Sequence, residues 1–204
     1  MVKKKAAEVE SMARKIAKDG RLLSGVIEGI TSDKPQVKYK SGKILMILSE
    51  DYPQILYPKW DHFVHLLSNE NTFMKSIGIR ILSNLTRVDA RNKFDQIFDR
   101  FYGLLNDDSM ITAASVVGHS GMIAKAKPKL QNRITNRLLG IDKTHHGSEC
   151  RNIIKGKAIL SFGEFFEEAK NKKKIIEFVM RELKNTRPAT RKKAEKFLKK
   201  WQDQ

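Results

Sequence analysis

The chain is poor in the residues that staple, kink or anchor a protein. Cysteine occurs once in 204 residues, as Cys150, so no disulfide framework can form within the chain. No apolar run approaches the roughly 18 residues that a membrane-crossing helix requires. The longest is Ile44-Leu45-Met46-Ile47-Leu48. The basic start, Met1-Val2-Lys3-Lys4-Lys5, runs into Ala6-Ala7-Glu8-Val9-Glu10, where acidic residues break any secretory hydrophobic segment. A cytoplasmic protein with no membrane association is therefore expected. No segment alternates apolar and polar residues over a strand length, so no sheet is expected. Acidic residues are also scarce: 23 Asp and Glu stand against 40 Lys and Arg, a net charge of +17.

What the sequence does contain is helical periodicity. Five prolines and twelve glycines separate about ten amphipathic segments. Phe94, Ile97, Phe98, Phe101, Leu104 and Leu105 form one apolar stripe at i, i+3, i+4 and i+7. Ile175, Ile176, Val179, Met180 and Leu183 form another. Helix boundaries follow from cap chemistry. Asp19-Gly20 ends a first helix, Ser32-Asp33-Lys34-Pro35 offers a cap and a first-turn proline, and Asn185-Thr186-Arg187-Pro188 opens the last helix.

The junctions are evenly spaced. Asp33, Asn69, Asp107, Gly147 and Asn185 are separated by 36, 38, 40 and 38 residues. Each interval holds two helices, A and B. The B helices end alike, in Leu66-Leu67-Ser68-Asn69, Leu104-Leu105-Asn106-Asp107 and Leu138-Leu139-Gly140-Ile141-Asp142. The A helices share Lys40-Ser41-Gly42-Lys43-Ile44 with Lys75-Ser76-Ile77-Gly78-Ile79, and each carries an interior glycine: Gly42, Gly78, Gly118 or Gly156. Such a glycine costs about 1 kcal/mol against alanine, so four at one phase predict close approach of a neighbouring helix.

A helix pair cannot bury its apolar face alone, and stacking on the next pair buries it. On this period, the two-helix unit and the shared B-helix endings, the sequence resembles the HEAT-repeat and armadillo-like superfamily. The resemblance covers residues 33–204 and implies an all-α, right-handed α-α superhelix of about ten helices. The expected organisation is a single domain over 1–204. It has an N-terminal capping pair (3–32), four repeats (33–68, 69–106, 107–146 and 147–184) and a C-terminal capping helix (185–204). In the core, Ile44, Ile79, Val116 and Ile159 are expected from A helices, and Phe63, Phe101, Leu138 and Val179 from B helices.

The charge is unevenly placed. Residues 151–204 hold 16 basic and 7 acidic residues, more than half the excess. Three A-to-B turns are basic. Arg87, Arg91 and Lys93 lie in the first, Lys125, Lys127 and Lys129 in the second, and Lys170, Lys172, Lys173 and Lys174 in the third. Arg133 and Arg137 continue from Lys129 down the following helix. Stacked repeats would align these turns into a ridge suited to a phosphate backbone, because each neutralised phosphate releases counterions. Lysine outnumbers arginine, which favours sequence-independent contact over reading of base edges.

The resemblance implies a binding scaffold. The expected function is non-catalytic binding of a polyanion, nucleic acid first, with an adaptor for an acidic protein as the alternative. No cofactor is expected. His145, His146 and Cys150 are the densest group of potential ligands, but adjacent histidines diverge and no zinc spacing is present, so no metal is expected. A third reading comes from HEAT-like DNA glycosylases for alkylated purines. It would use aromatics and carboxylates on B helices, among Trp60, Asp61, Asp95, Asp99, Phe101 and Tyr102, and it requires an unpaired carboxylate beside aromatics in a concave pocket.

Overall fold

The structure is a computed structural model that describes residues 2–201, with side chains described from residue 7. The described chain is all-helical, with no strand among the described residues. It divides into two compact units, Met1–Arg91 and Asn92–Gln204. The division falls inside the turn that carries Arg87, Arg91 and Lys93.

The first unit contains α1 (Val2–Lys18), α2 (Leu23–Gly29), α3 (Pro35–Asp51), the single turn α4 (Pro53–Leu56), α5 (Trp60–Leu66) and α6 (Thr72–Leu85). The second contains α7 (Lys93–Gly103), α8 (Met110–Ala126), α9 (Gln131–Leu139), α10 (Ser148–Phe165), α11 (Lys172–Arg181) and α12 (Pro188–Trp201). Prolines open α3, α4 and α12 at a first-turn position, where their missing N–H leaves no intrahelical bond unmade. Asn71 caps α6, accepting from the backbone N–H groups of Phe73 and Met74. At α3 the cap position falls to Lys34, and Ser32 instead turns back to accept from the Lys34 N–H.

Within each unit the long helices pack on their equivalents in the next pair: α1 on α3 and α3 on α6 in the first unit, α8 on α10 and α10 on α12 in the second. The shorter helices fill in beside them, α5 against α6 and α11 against both α9 and α12. The eight core positions expected from the period are all buried. In the second unit, Phe94, Phe98, Phe101 and Tyr102 form a ring cluster with neighbouring centroids 4.6–6.5 Å apart. Phe166, Phe197 and Trp201 close the C-terminal end.

The second stripe is out of phase with expectation. Ile175 and Val179 are buried, but Met180 and Leu183 are 47% and 38% exposed, and the inward positions are instead Phe178 and Glu182. The true face of α11 runs 175, 178, 179, 182. Its polar member, Glu182, is satisfied by Lys155 at 3.2 Å and Asn185 at 2.5 Å. A buried carboxylate at a core phase broke the apolar pattern that defined the stripe.

Three of the four aligned glycines meet a neighbour. A Cβ on Gly78 would lie 2.9 Å from Leu66 Cβ, one on Gly42 3.0 Å from Ile77 Cδ1, and one on Gly156 2.7 Å from Thr190 Oγ1. Gly118 departs from the rule: it is exposed, with nothing nearer than Lys157 at 3.8 Å. Gly121 takes the close approach in α8, where a Cβ would sit 2.7 Å from the Ser161 carbonyl oxygen of α10. No helix among the described residues is long and apolar enough to cross a membrane.

Candidate functional site

The three basic turns have different fates. In the first unit, the turn after α6 is folded onto the end of α3. The Arg87 guanidinium donates to the carbonyls of Ser49 (3.0 Å), Glu50 (2.5 Å) and Asn84 (3.2 Å). The last carbonyls of a helix lack intrahelical donors and carry the negative end of its dipole, so a cation there acts as a C-cap. Beside it, Tyr57 donates to Asp89 at 2.7 Å, and burial, followed by the Asp89 carboxylate, holds the phenol above its usual pKa. Arg91 is exposed.

In the second unit, the turn between α8 and α9 splits its three lysines. Lys127 is buried, and its ammonium donates to the Asn92 side-chain oxygen at 3.1 Å. Asn92 stands immediately before α7 with a left-handed backbone, φ 53°, a conformation asparagine tolerates better than most residues. Lys125 is exposed and faces the Glu164 carboxyl, whose pKa is raised by burial and lowered in part by that ammonium. Lys129 is exposed. In the turn between α10 and α11, Lys170, Lys172, Lys173 and Lys174 are all exposed. Among the described residues, Lys129, Lys170, Lys173 and Lys174 have no ion-pair partner, and Lys172 lies 5.6 Å from the Phe166 ring centroid. Lys93 opens α7 and is half-buried.

Arg133 and Arg137 on α9 converge on one carboxylate of α7: Asp99 accepts at 3.2 Å from Arg133 and 2.6 Å from Arg137. The Arg133 guanidinium also stacks over Phe98, 3.9 Å from the ring centroid. The two arginines are thereby held side by side and exposed, with one net positive charge. Sequence reasoning named both arginines but missed Asp99 as their anchor. The signal was present, because 99 and 137 differ by 38, the repeat length.

Of the six residues of the third functional reading, four are otherwise engaged, and Asp61 and Asp95 are exposed. Trp60, Phe101 and Tyr102 are buried, and Tyr102 donates to Ser120 at 3.1 Å, with burial raising its pKa. Asp99 is shared by two arginines. In the ligand cluster the adjacent histidines do not diverge as expected: their ring centroids lie 4.5 Å apart, tilted by 38°, with His145 exposed and His146 buried, its Nε2 3.0 Å from the Leu105 carbonyl oxygen. Among the described residues no three His, Cys, Asp or Glu side chains are placed to share a metal ion.

No family model matches the chain, and no curated protein matches it. Among solved structures, it is similar to the crystal structure of an engineered protein from the Northeast Structural Genomics Consortium. The identity is 14%, the TM-score 0.55, and the match covers 95% of this chain and 84% of the other. At that identity the likeness concerns the fold alone.

Proposed function

We propose that the chain is a HEAT-like α-solenoid that binds nucleic-acid backbone without catalysis, through the basic edge formed by the A-to-B turns of its second unit. Two kinds of contact support the solenoid. Long helices pack on their counterparts one pair later within each unit. Polar contacts also recur near the repeat length: Asn84 to Ser49 is 35 residues, Arg137 to Asp99 is 38, and Thr190 to Asn152 is 38.

The observation that carries the binding reading is the second unit's edge. Lys129, Lys170, Lys173 and Lys174 are exposed without carboxylates, in a protein that pairs Arg80, Lys155 and Arg187 elsewhere. Ammonium groups on flexible stems suit phosphate contact without base recognition. Fluorescence anisotropy with duplexes of unrelated sequence tests the reading. All should bind within a few-fold of one another, and affinity should fall steeply with salt. Absence of binding at moderate ionic strength would replace nucleic acid with an acidic protein partner, which nuclease-treated co-purification would retain.

A further inference from the structure

Two lysines of α10 lie two residues apart and meet opposite environments. Lys155 is clamped between Asp142 at 2.7 Å and Glu182 at 3.2 Å. Lys157 turns to the other side of the helix and lies over Gly118 of α8, while Lys193 of α12 lies over Gly156, the residue beside Lys157, and among the described residues neither meets a carboxylate. The close packing of α10 and α12 causes this. Thr190 donates to the Asn152 carbonyl at 2.8 Å, and its hydroxyl occupies the space that a Cβ on Gly156 would need. One turn on, Lys193 follows across the same glycine, with Nζ 3.3 Å and Cδ 3.5 Å from that Cβ position. Lys157 repeats the arrangement one helix earlier, with Cδ and Nζ both 3.8 Å from the Cβ position of exposed Gly118. The missing side chains let two lysine stems lie down on successive helices.

We propose that this surface, built on α8, α10 and α12 around Lys157 and Lys193, is a phosphate-binding site. Among the described residues neither ammonium has an ion-pair partner. The nearby Arg187 adds a third positive charge, while its own guanidinium is paired with Glu149. Partial burial, then Lys157 and Arg187, pull the Lys193 pKa down, as expected where cations crowd without a counter-charge. Each ammonium carries three donors and no acceptor. A phosphate oxyanion would relieve the repulsion and take donors from both lysines. The site lies on helix faces, outside the A-to-B turns, and does not depend on the edge reading.

Thermal unfolding tests the site in phosphate and in chloride of equal ionic strength, using the full chain, Lys157→Gln/Lys193→Gln and the charge-keeping Lys157→Arg/Lys193→Arg. Phosphate at about ten times its dissociation constant should raise the parent midpoint by roughly 3 °C over chloride. The arginine variant should keep most of that rise and the glutamine variant should lose it. In chloride alone the glutamine variant should melt no lower than the parent, because it removes a like-charge pair. An equal rise in parent and glutamine variant, or no rise in the parent, overturns the proposal. A labelled 16-nucleotide strand identifies the source of the phosphate. Binding weakened at least threefold by Lys157→Gln/Lys193→Gln assigns the site to strand phosphates. Unchanged strand binding with a retained phosphate response assigns it to free phosphate. Failure of the parent to bind the strand overturns the edge reading and leaves the phosphate result standing.

Discussion

The turn after α6 and the turn after α10 are both rich in basic residues, yet they differ in what those residues do. In the first, Arg87 reaches back to three carbonyls and holds the end of α3. In the second, four lysines stand in solvent. The turn after α8 contains both behaviours within three residues, Lys127 buried on Asn92 and Lys129 exposed. Formal charge in a turn therefore does not measure the charge a partner would meet. That depends on whether a carbonyl or amide oxygen one repeat earlier captures the cation.

The comparison breaks most visibly in stability. Phe101→Ala, which removes a fully buried ring of the α7 cluster, should cost about 3–5 kcal/mol by chemical denaturation and sets the scale. Lys127→Glu should cost about 1–3 kcal/mol, since a carboxylate would face the Asn92 oxygen in a buried place, while Lys127→Met should be nearly silent. Arg87→Ala should cost about 1–2 kcal/mol by removing a charged donor from the α3 terminus. An unchanged midpoint for that variant would put Arg87 back among the free cations. Asp99→Asn should change stability by less than about 1 kcal/mol, because its ion pairs are exposed. The same change should tighten duplex binding modestly by releasing Arg133 and Arg137 from their carboxylate. Weaker binding instead would show that Asp99 positions the two arginines for the ligand.

Much of the fold was legible in the sequence. The 36-to-40-residue spacing located the helix pairs, Pro35 and Pro188 marked helix starts, and the eight core positions followed from the period. The stripe on α11 misled because its inward face contains Glu182, which an apolar count discards. Gly118 misled because a shared phase does not guarantee a neighbour, and Gly121 one turn later has one. Candidate site residues were legible as charge but not as available charge. Lys127 and Arg87 are bound by acceptors 35 and 38 residues away, and no local pattern reveals that. The repeat length itself was the usable signal: Arg87 less 38 is Ser49, and Arg187 less 38 is Glu149. The N-terminal Lys3, Lys4 and Lys5 side chains lie outside the described residues.

The most direct measurement is the salt dependence of duplex binding by three proteins: the parent, a variant with Lys129, Lys170, Lys173 and Lys174 changed to Gln, and Lys127→Met. If about six cations of the second unit's edge meet phosphates, log affinity should fall against log salt with a slope of roughly −5 in the parent, and roughly −2 after four are removed. Lys127→Met should keep the parental slope, because its ammonium is already held by Asn92. An edge variant with the parental slope and affinity, or a slope reduced by Lys127→Met as much as by one exposed lysine, would contradict the account.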